Sequence, residues 1–272
     1  YKKVVDRTDN PDVQVLKAYY EGLETIKVTD DYASSPAKTT HTGVATDALE
    51  YLTGLTKIDL DGATSDVEAE RTGNGTGVSD AEDRNALDVF TTENDSPRFP
   101  ALTELYLSGN SGIANLNGLS CYGSSLATLN LSGTGVTDVS ALGSLKALSV
   151  LNLSNLSGLT TLTGLEGASG LTNINVSSTG LTNFDAFYTN NAPSFPGLTT
   201  LTATNLNNGY EEGNYQIKSM EGLHSVAKKG IAANVTWDFG NSVLDEDRHD
   251  CVNLINIAFK SANSSFTAPT VM

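Results

Sequence analysis

The side chains best suited to chemistry are few. Three histidines stand at positions 41, 224 and 249. The run Asp245-Glu246-Asp247-Arg248-His249-Asp250-Cys251 gathers carboxylates, an imidazole and a thiol, the donor types that can hold a transition metal. A solvated charged turn accounts for the same run and is the favoured reading. Asp59-x-Asp61-Gly62, with Glu70 downstream, echoes a calcium loop. A helix–loop–helix calcium site needs its glycine at the sixth position, whereas Gly62 is fourth and Asp59 falls on a predicted strand. Calcium binding by residues 61–70 is therefore the lesser reading of that loop. No His-Glu-x-x-His, Gly-x-Ser-x-Gly or phosphate-cradling glycine loop occurs. With no nucleophile beside a base, the chain is expected to be no enzyme, with no catalytic residue, no metal and no cofactor.

The elements that would have to position such groups are announced by a different pattern. The 272-residue chain carries 16 basic and 32 acidic residues, a net charge of −16. That balance argues against nucleic acid or an anionic membrane surface as a partner, since both require cationic surface. No apolar run is long enough to span a bilayer, so no membrane insertion is expected. The acids are unevenly spread. Residues 1–101 hold 20 acids and 10 bases, whereas residues 102–197 hold four acids (Glu104, Asp138, Glu166, Asp185) and one base, Lys146. Charged residues are 18% of the chain, against about 25% in ordinary soluble domains. Threonine takes their place, at 32 residues, level with leucine.

Those leucines repeat. Leu102-Thr-Glu-Leu105-Tyr-Leu107 is followed by Leu126-Ala-Thr-Leu129-Asn-Leu131, Leu148-Ser-Val-Leu151-Asn-Leu153, Leu171-Thr-Asn-Ile174-Asn-Val176 and Leu198-Thr-Thr-Leu201-Thr-Ala203. The starts are 24, 22, 23 and 27 residues apart. Two weaker copies precede them, Leu23-Glu-Thr-Ile26-Lys-Val28 and Leu55-Thr-Lys-Ile58-Asp-Leu60, which makes seven turns. Alternation within each copy puts two apolar side chains on one face of a short strand. The next apolar set, such as Val136, Val139, Leu142 and Leu145, recurs every three residues and predicts a 3₁₀-like return. One turn cannot bury its own leucines, but stacked turns bury a continuous spine. Strands about 4.8 Å apart then form one parallel sheet, roughly 29 Å wide over six steps.

This repeat resembles the leucine-rich-repeat family over residues 23–223, and the copies from 126 and 171 resemble the 22-residue type of bacterial internalin-like surface proteins. Thr134-Gly-Val136-Thr-Asp138-Val139-Ser-Ala-Leu142-Gly-Ser-Leu145 carries the likeness most fully. The resemblance implies an α/β solenoid with one parallel sheet on its concave face and an irregular or 3₁₀ convex side. It also implies a non-enzymatic recognition module, extracellular or on a cell surface, that takes a protein or glycan. A start at Tyr1 is what removal of a leader would leave, and a monomer is expected. The family's ladder position, three residues after the last strand leucine, holds Asn110, Thr134 and Thr179 but departs to Ala63, Leu156 and Leu206; Asn155 and Asn205 stand one place earlier.

The ends and one insertion complete the organisation. Asn10-Pro11-Asp12 opens a predicted capping helix over 11–22, so residues 1–22 form an N-terminal cap and 23–230 the solenoid. The second turn runs 47 residues, 55–101, and its surplus at about 62–77 is an acidic, glycine-rich loop. Residues 231–272 read as a C-terminal cap, with a final strand at 235–239, and a linker-like tail from Ser261 that leads toward a further domain. Cys121 and Cys251 should lie about 24 Å apart by the strand spacing, too far for a disulfide, so both are expected to be unpaired.

Alternation also names the outward row of the sheet: Lys27, Asp59, Tyr106, Asn130, Asn152, Asn175 and Thr202, flanked by residues such as Lys57, Asp61, Glu104, Ser154 and Ser177. Asn130, Asn152 and Asn175 are expected to bond one another as an amide ladder. Because interface hot spots favour Tyr, Trp and Arg, the expected ligand site is the N-terminal third, around Lys57, Asp59, Glu104 and Tyr106, with the asparagine row continuing it. Two rivals stand beside this reading. One is a spacer for a missing domain. The other is a carbohydrate-active enzyme on a parallel β-helix, which would need more strands per coil and clustered charge.

Overall fold

The computed structural model describes residues 25–27, 54–61, 87, 90–92, 94–206, 217, 219–228, 235–240, 242–244, 265–267 and 270–271. The predicted capping helix, the 62–77 insertion, the Asp245–Cys251 cluster, His41 and His249 lie outside them. Within them, three-residue strands alternate with 3₁₀ returns, as the leucine spacing requires. Nine strands form one parallel sheet in chain order: β1 (Thr25–Lys27), β2 (Lys57–Asp59), β3 (Glu104–Tyr106), β4 (Thr128–Asn130), β5 (Val150–Asn152), β6 (Asn173–Asn175), β7 (Thr200–Thr202), β8 (Thr236–Asp238) and β9 (Ser265–Thr267). The register is exact repeat on repeat: Leu105 faces Leu129, Leu129 faces Leu151, Leu151 faces Ile174, and Ile174 faces Leu201.

Each coil contributes a ring of apolar side chains to one shared core. In the coil begun by β4, Leu126, Leu129, Leu131, Val136, Val139, Leu142 and Leu145 are all buried. Their counterparts in the next coil (Leu148, Leu151, Leu153, Leu159, Leu162, Leu165, Ala168) are buried beside them. Burial of each leucine contributes about 1.5–3 kcal/mol. The return wall is built from the 3₁₀ segments Asn117–Tyr122, Ser140–Ser144, Leu165–Gly167 and Asp185–Phe187. One main strand per coil, closed by a 3₁₀ wall, is not the several-sheeted coil that the β-helix rival requires.

The sheet exceeds the seven predicted turns by two rungs. β8 occupies the segment whose alternation predicts a final strand. β9 comes from the tail expected to be a linker, and this is a correction: Phe266 aligns with Trp237 and Ser265 with Thr236. A single apolar residue among serines, threonines and asparagines gave that strand no visible period. Three further elements were not predicted, one of them a parallel pairing of Val243–Leu244 with Thr270–Val271. A hairpin pairs Tyr188–Thr189 with Ala192–Pro193, turned by Asn190 and Asn191 in left-handed conformations. Helix α1 (Glu221–Lys228) buries Leu223 and Val226, and Ser219 Oγ accepts its Glu221 N–H.

Every described coil between β3 and β7 turns the same corner. Gly109, Gly133, Asn155, Ser178 and Asn205, each two residues beyond the last strand apolar residue, have φ of 78°, 67°, 60°, 54° and 56°. Glycine and asparagine tolerate this left-handed region best. Asn155 and Asn205 are therefore corner residues and not displaced ladder residues. The ladder residues proper bond carbonyls: Thr134 Oγ1 donates to Leu131 O at 2.8 Å and Thr179 Oγ1 to Val176 O at 2.7 Å.

At two of the three apolar ladder positions, Ala63 and Leu206, the following coil supplies the donor. Asn110 Nδ2 reaches back to Leu60 O at 2.9 Å, serving the coil whose own position is Ala63. Ser242 Oγ likewise donates to Ala203 O at 2.7 Å and accepts the Leu206 N–H at 3.0 Å. Threonine has its own column. Thr103, Ser149, Thr172 and Thr199 each donate a hydroxyl to a backbone carbonyl one rung earlier (Thr56, Ala127, Ser149 and Thr172 O, 3.0–3.1 Å).

Candidate functional site

The sheet's outward face is polar and divides into two chemically different halves. On the N-terminal side, β2 and β3 pair Lys57 with Glu104 and Asp59 with Tyr106. The 47-residue turn between them does not disturb the register. Lys57 Nζ stands 3.2 Å from Glu104 Oε2 and 4.4 Å from the centre of the Tyr106 ring. Tyr106 Oη donates to the same Glu104 oxygen at 3.0 Å. The three side chains thus close a triangle of ion pair, hydrogen bond and cation–π contact. The hydrogen bond to Glu104 raises the Lys57 ammonium above its ordinary pKa, because it favours the charged form. Burial, then the Glu104 bond, raises the Tyr106 phenol. Near neutral pH the pair is a lysine cation and an intact phenol, both oriented.

Asp61 ties this corner to the next two rungs, a role that the sequence pattern did not disclose. Its Oδ1 accepts the Ser108 N–H at 2.6 Å and its Oδ2 accepts Asn130 Nδ2 at 3.3 Å. Asp59 Oδ1 accepts the Asp61 N–H at 3.3 Å.

The asparagine row does not form the expected ladder. Asn130, Asn152 and Asn175 each accept, through Oδ1, the backbone N–H two residues on, at Ser132, Ser154 and Ser177 (3.1, 3.0 and 3.0 Å). A short Asn side chain readily accepts the N–H two residues on, and here it closes that local turn. Asp238 does the same for Gly240 at 3.0 Å. Where the row holds a residue without this acceptor, the preceding coil substitutes. Asp61 serves Ser108 beyond Tyr106, and Ser177 Oγ serves the Thr204 N–H beyond Thr202 at 3.1 Å. Ser154 and Ser177, expected to point outward, are buried in this seam, with Ser132 Oγ 2.9 Å from Ser154 Oγ.

From β5 to β7 the outward residues are Val150, Asn152, Asn173, Asn175, Thr200 and Thr202, and none is charged. Val150, 39% exposed, is the one exposed large hydrophobic among the described residues. Cys121 is a free, half-buried thiol whose pKa burial raises; Cys251 lies outside the described residues. His224 sits on α1, 3.8 Å from Glu221. Among the described residues no cluster of three metal-ligating side chains occurs, and no helix is long and apolar enough to cross a membrane.

No family model and no curated protein sequence matches the chain. Solved structures do resemble it. An internalin of Listeria monocytogenes is 14% identical, with a TM-score of 0.46 over 85% of this chain and 66% of its own. Internalin C2 of the same organism is 17% identical, with a TM-score of 0.43 over 94% and 84%. A leucine-rich-repeat protein of Leptospira interrogans is 11% identical, with a TM-score of 0.48 over 92% and 72%. The chain spans 66% of the length of the first of these. The coils speak for themselves: strand, left-handed corner, ladder residue and 3₁₀ return recur in register, and the chain has the leucine-rich-repeat fold.

Proposed function

We propose that this chain is a recognition module, exported or cell-surface and monomeric, that binds a protein or glycan ligand on its sheet face and catalyses no reaction. The observation that carries this reading is the continuous outward row of the sheet, which no described element covers. Its N-terminal third offers the residues that recur at binding hot spots. Tyr106 presents a ring and a hydroxyl, with Lys57, Asp59 and Glu104 beside it. The Lys57–Glu104–Tyr106 triangle holds these groups in place before a partner arrives, which limits the ordering cost of association. The net charge of −16 disfavours nucleic acid as that partner.

An array of extracellular proteins and glycans, probed with the whole chain, tests the proposal. Tyr106→Ala combined with Lys57→Ala should weaken binding of a captured partner about tenfold or more. Undiminished affinity would remove the N-terminal third from consideration. A chain that captures nothing on the array would favour the spacer.

A further inference from the structure

We infer that rungs β5–β7 form a second subsite on the same face, built for an uncharged oligosaccharide that lies along the stack. The inference rests on reading the sheet face as the recognition surface. Asn152 and Asn175 face each other across adjacent rungs. Each has its Oδ1 anchored by the N–H of its own turn, which fixes the amide plane. Their Nδ2 groups donate to no acceptor among the described residues. Asn173, exposed on β6, lies 3.1 Å from Thr199 Oγ1; that hydroxyl's one proton goes to Thr172 O, so the Asn173 amide is engaged by Thr199 and adds no free donor. Two oriented amide donors therefore meet solvent on adjacent rungs. By contrast, Asn130 has its Nδ2 committed to Asp61, so this donor set begins at β5.

The occupant follows from charge and from donor type. Free N–H groups call for oxygen acceptors. Outward positions on β5, β6 and β7 carry no cation to hold an anionic chain, and the net charge of −16 repels one. They also carry no aromatic or arginine anchor of the kind a protein hot spot uses. Hydroxyl and ring oxygens of a neutral sugar chain fit such a face, and exposed Val150 offers the apolar contact that a sugar's C–H surface takes. Rungs about 4.8 Å apart repeat these donors along the direction in which a polysaccharide repeats its acceptors.

The test uses the intact chain with a panel of neutral hexasaccharides (gluco-, manno-, xylo- and galacto-configured) and oligogalacturonate of the same length, measured by calorimetry. The variant is Asn152→Asp with Asn175→Asp. Aspartate retains the Oδ1 acceptor that closes each turn and removes the free N–H groups, so the fold is kept while the donors are lost. A neutral member of the panel should bind. Its affinity should fall about tenfold or more in the double variant, in line with lost donors facing acceptors. No binding by any neutral hexasaccharide, equal binding of oligogalacturonate, or an undiminished affinity in the Asp variant would each overturn the subsite. A protein partner lost on the Tyr106 and Lys57 variant would leave the wider recognition reading intact even so.

Discussion

Leu151→Ala should lower the stability of the chain by about 2–5 kcal/mol, the range for a buried leucine whose cavity cannot collapse. Leu151 is 1% exposed, at the centre of β5, in register with Leu129 before it and Ile174 behind it. Both neighbours are fixed by their own backbone ladders, so neither can move in to fill the space. In a stacked fold stability is close to a sum of neighbour terms, and this one substitution weakens two of them. The chain's single tryptophan, Trp237, is fully buried on β8, so urea unfolding followed by its emission reads the effect. A loss below about 1 kcal/mol would mean that Leu151 is not held between two packed coils.

Phe184→Ala should be costlier still, about 3–5 kcal/mol. Phe184 is fully buried, with its ring edge-to-face on Phe187 (centroids 5.8 Å apart, 62°) and on Phe239 (6.1 Å, 78°). Phe239 follows Trp237 in the coil of β8, so the ring joins the return wall to the last rungs. Helix α1 closes over the same point. A Cβ on Gly222 would stand 2.0 Å from Phe184 O, a distance that no side chain tolerates, and glycine alone permits that approach. Differential scanning calorimetry would show a lowered midpoint, and Phe184→Leu should recover part of it. Equal stability of the alanine variant would place the aromatic cluster outside the core.

The spine of this fold was legible because its signal is long-range and redundant. Five adjacent copies of one motif fix the strand centres, and the three-residue spacing of Val136, Val139, Leu142 and Leu145 fixes the return. The outward row was legible for the same reason, and with it the meeting of Lys57, Glu104 and Tyr106 across a 47-residue turn. What the sequence hid was local choice among hydrogen bonds. Asn152 is equally able to bond Asn175 or the Ser154 N–H, and only the geometry of the turn selects the latter. Leu206 looked like a broken ladder, yet Ser242, 36 residues on, supplies the missing donor. The strand at Ser265–Thr267 was masked by composition. Its place in the sheet comes from alignment with Trp237, which no local period announces.

Amide hydrogen exchange resolved by residue tests the central claim, that coils stack in register on one shared core beneath a single open sheet. The N–H groups of Leu131, Leu153, Val176 and Ala203 donate across rungs to Asn152, Asn175, Thr202 and Asp238 carbonyls at 2.9, 2.8, 2.8 and 2.7 Å. They should rank among the slowest amides of the chain and exchange only when neighbouring coils separate. Exchange of these four at the rate of an unstructured peptide would contradict the stack, and with it the face proposed to bind.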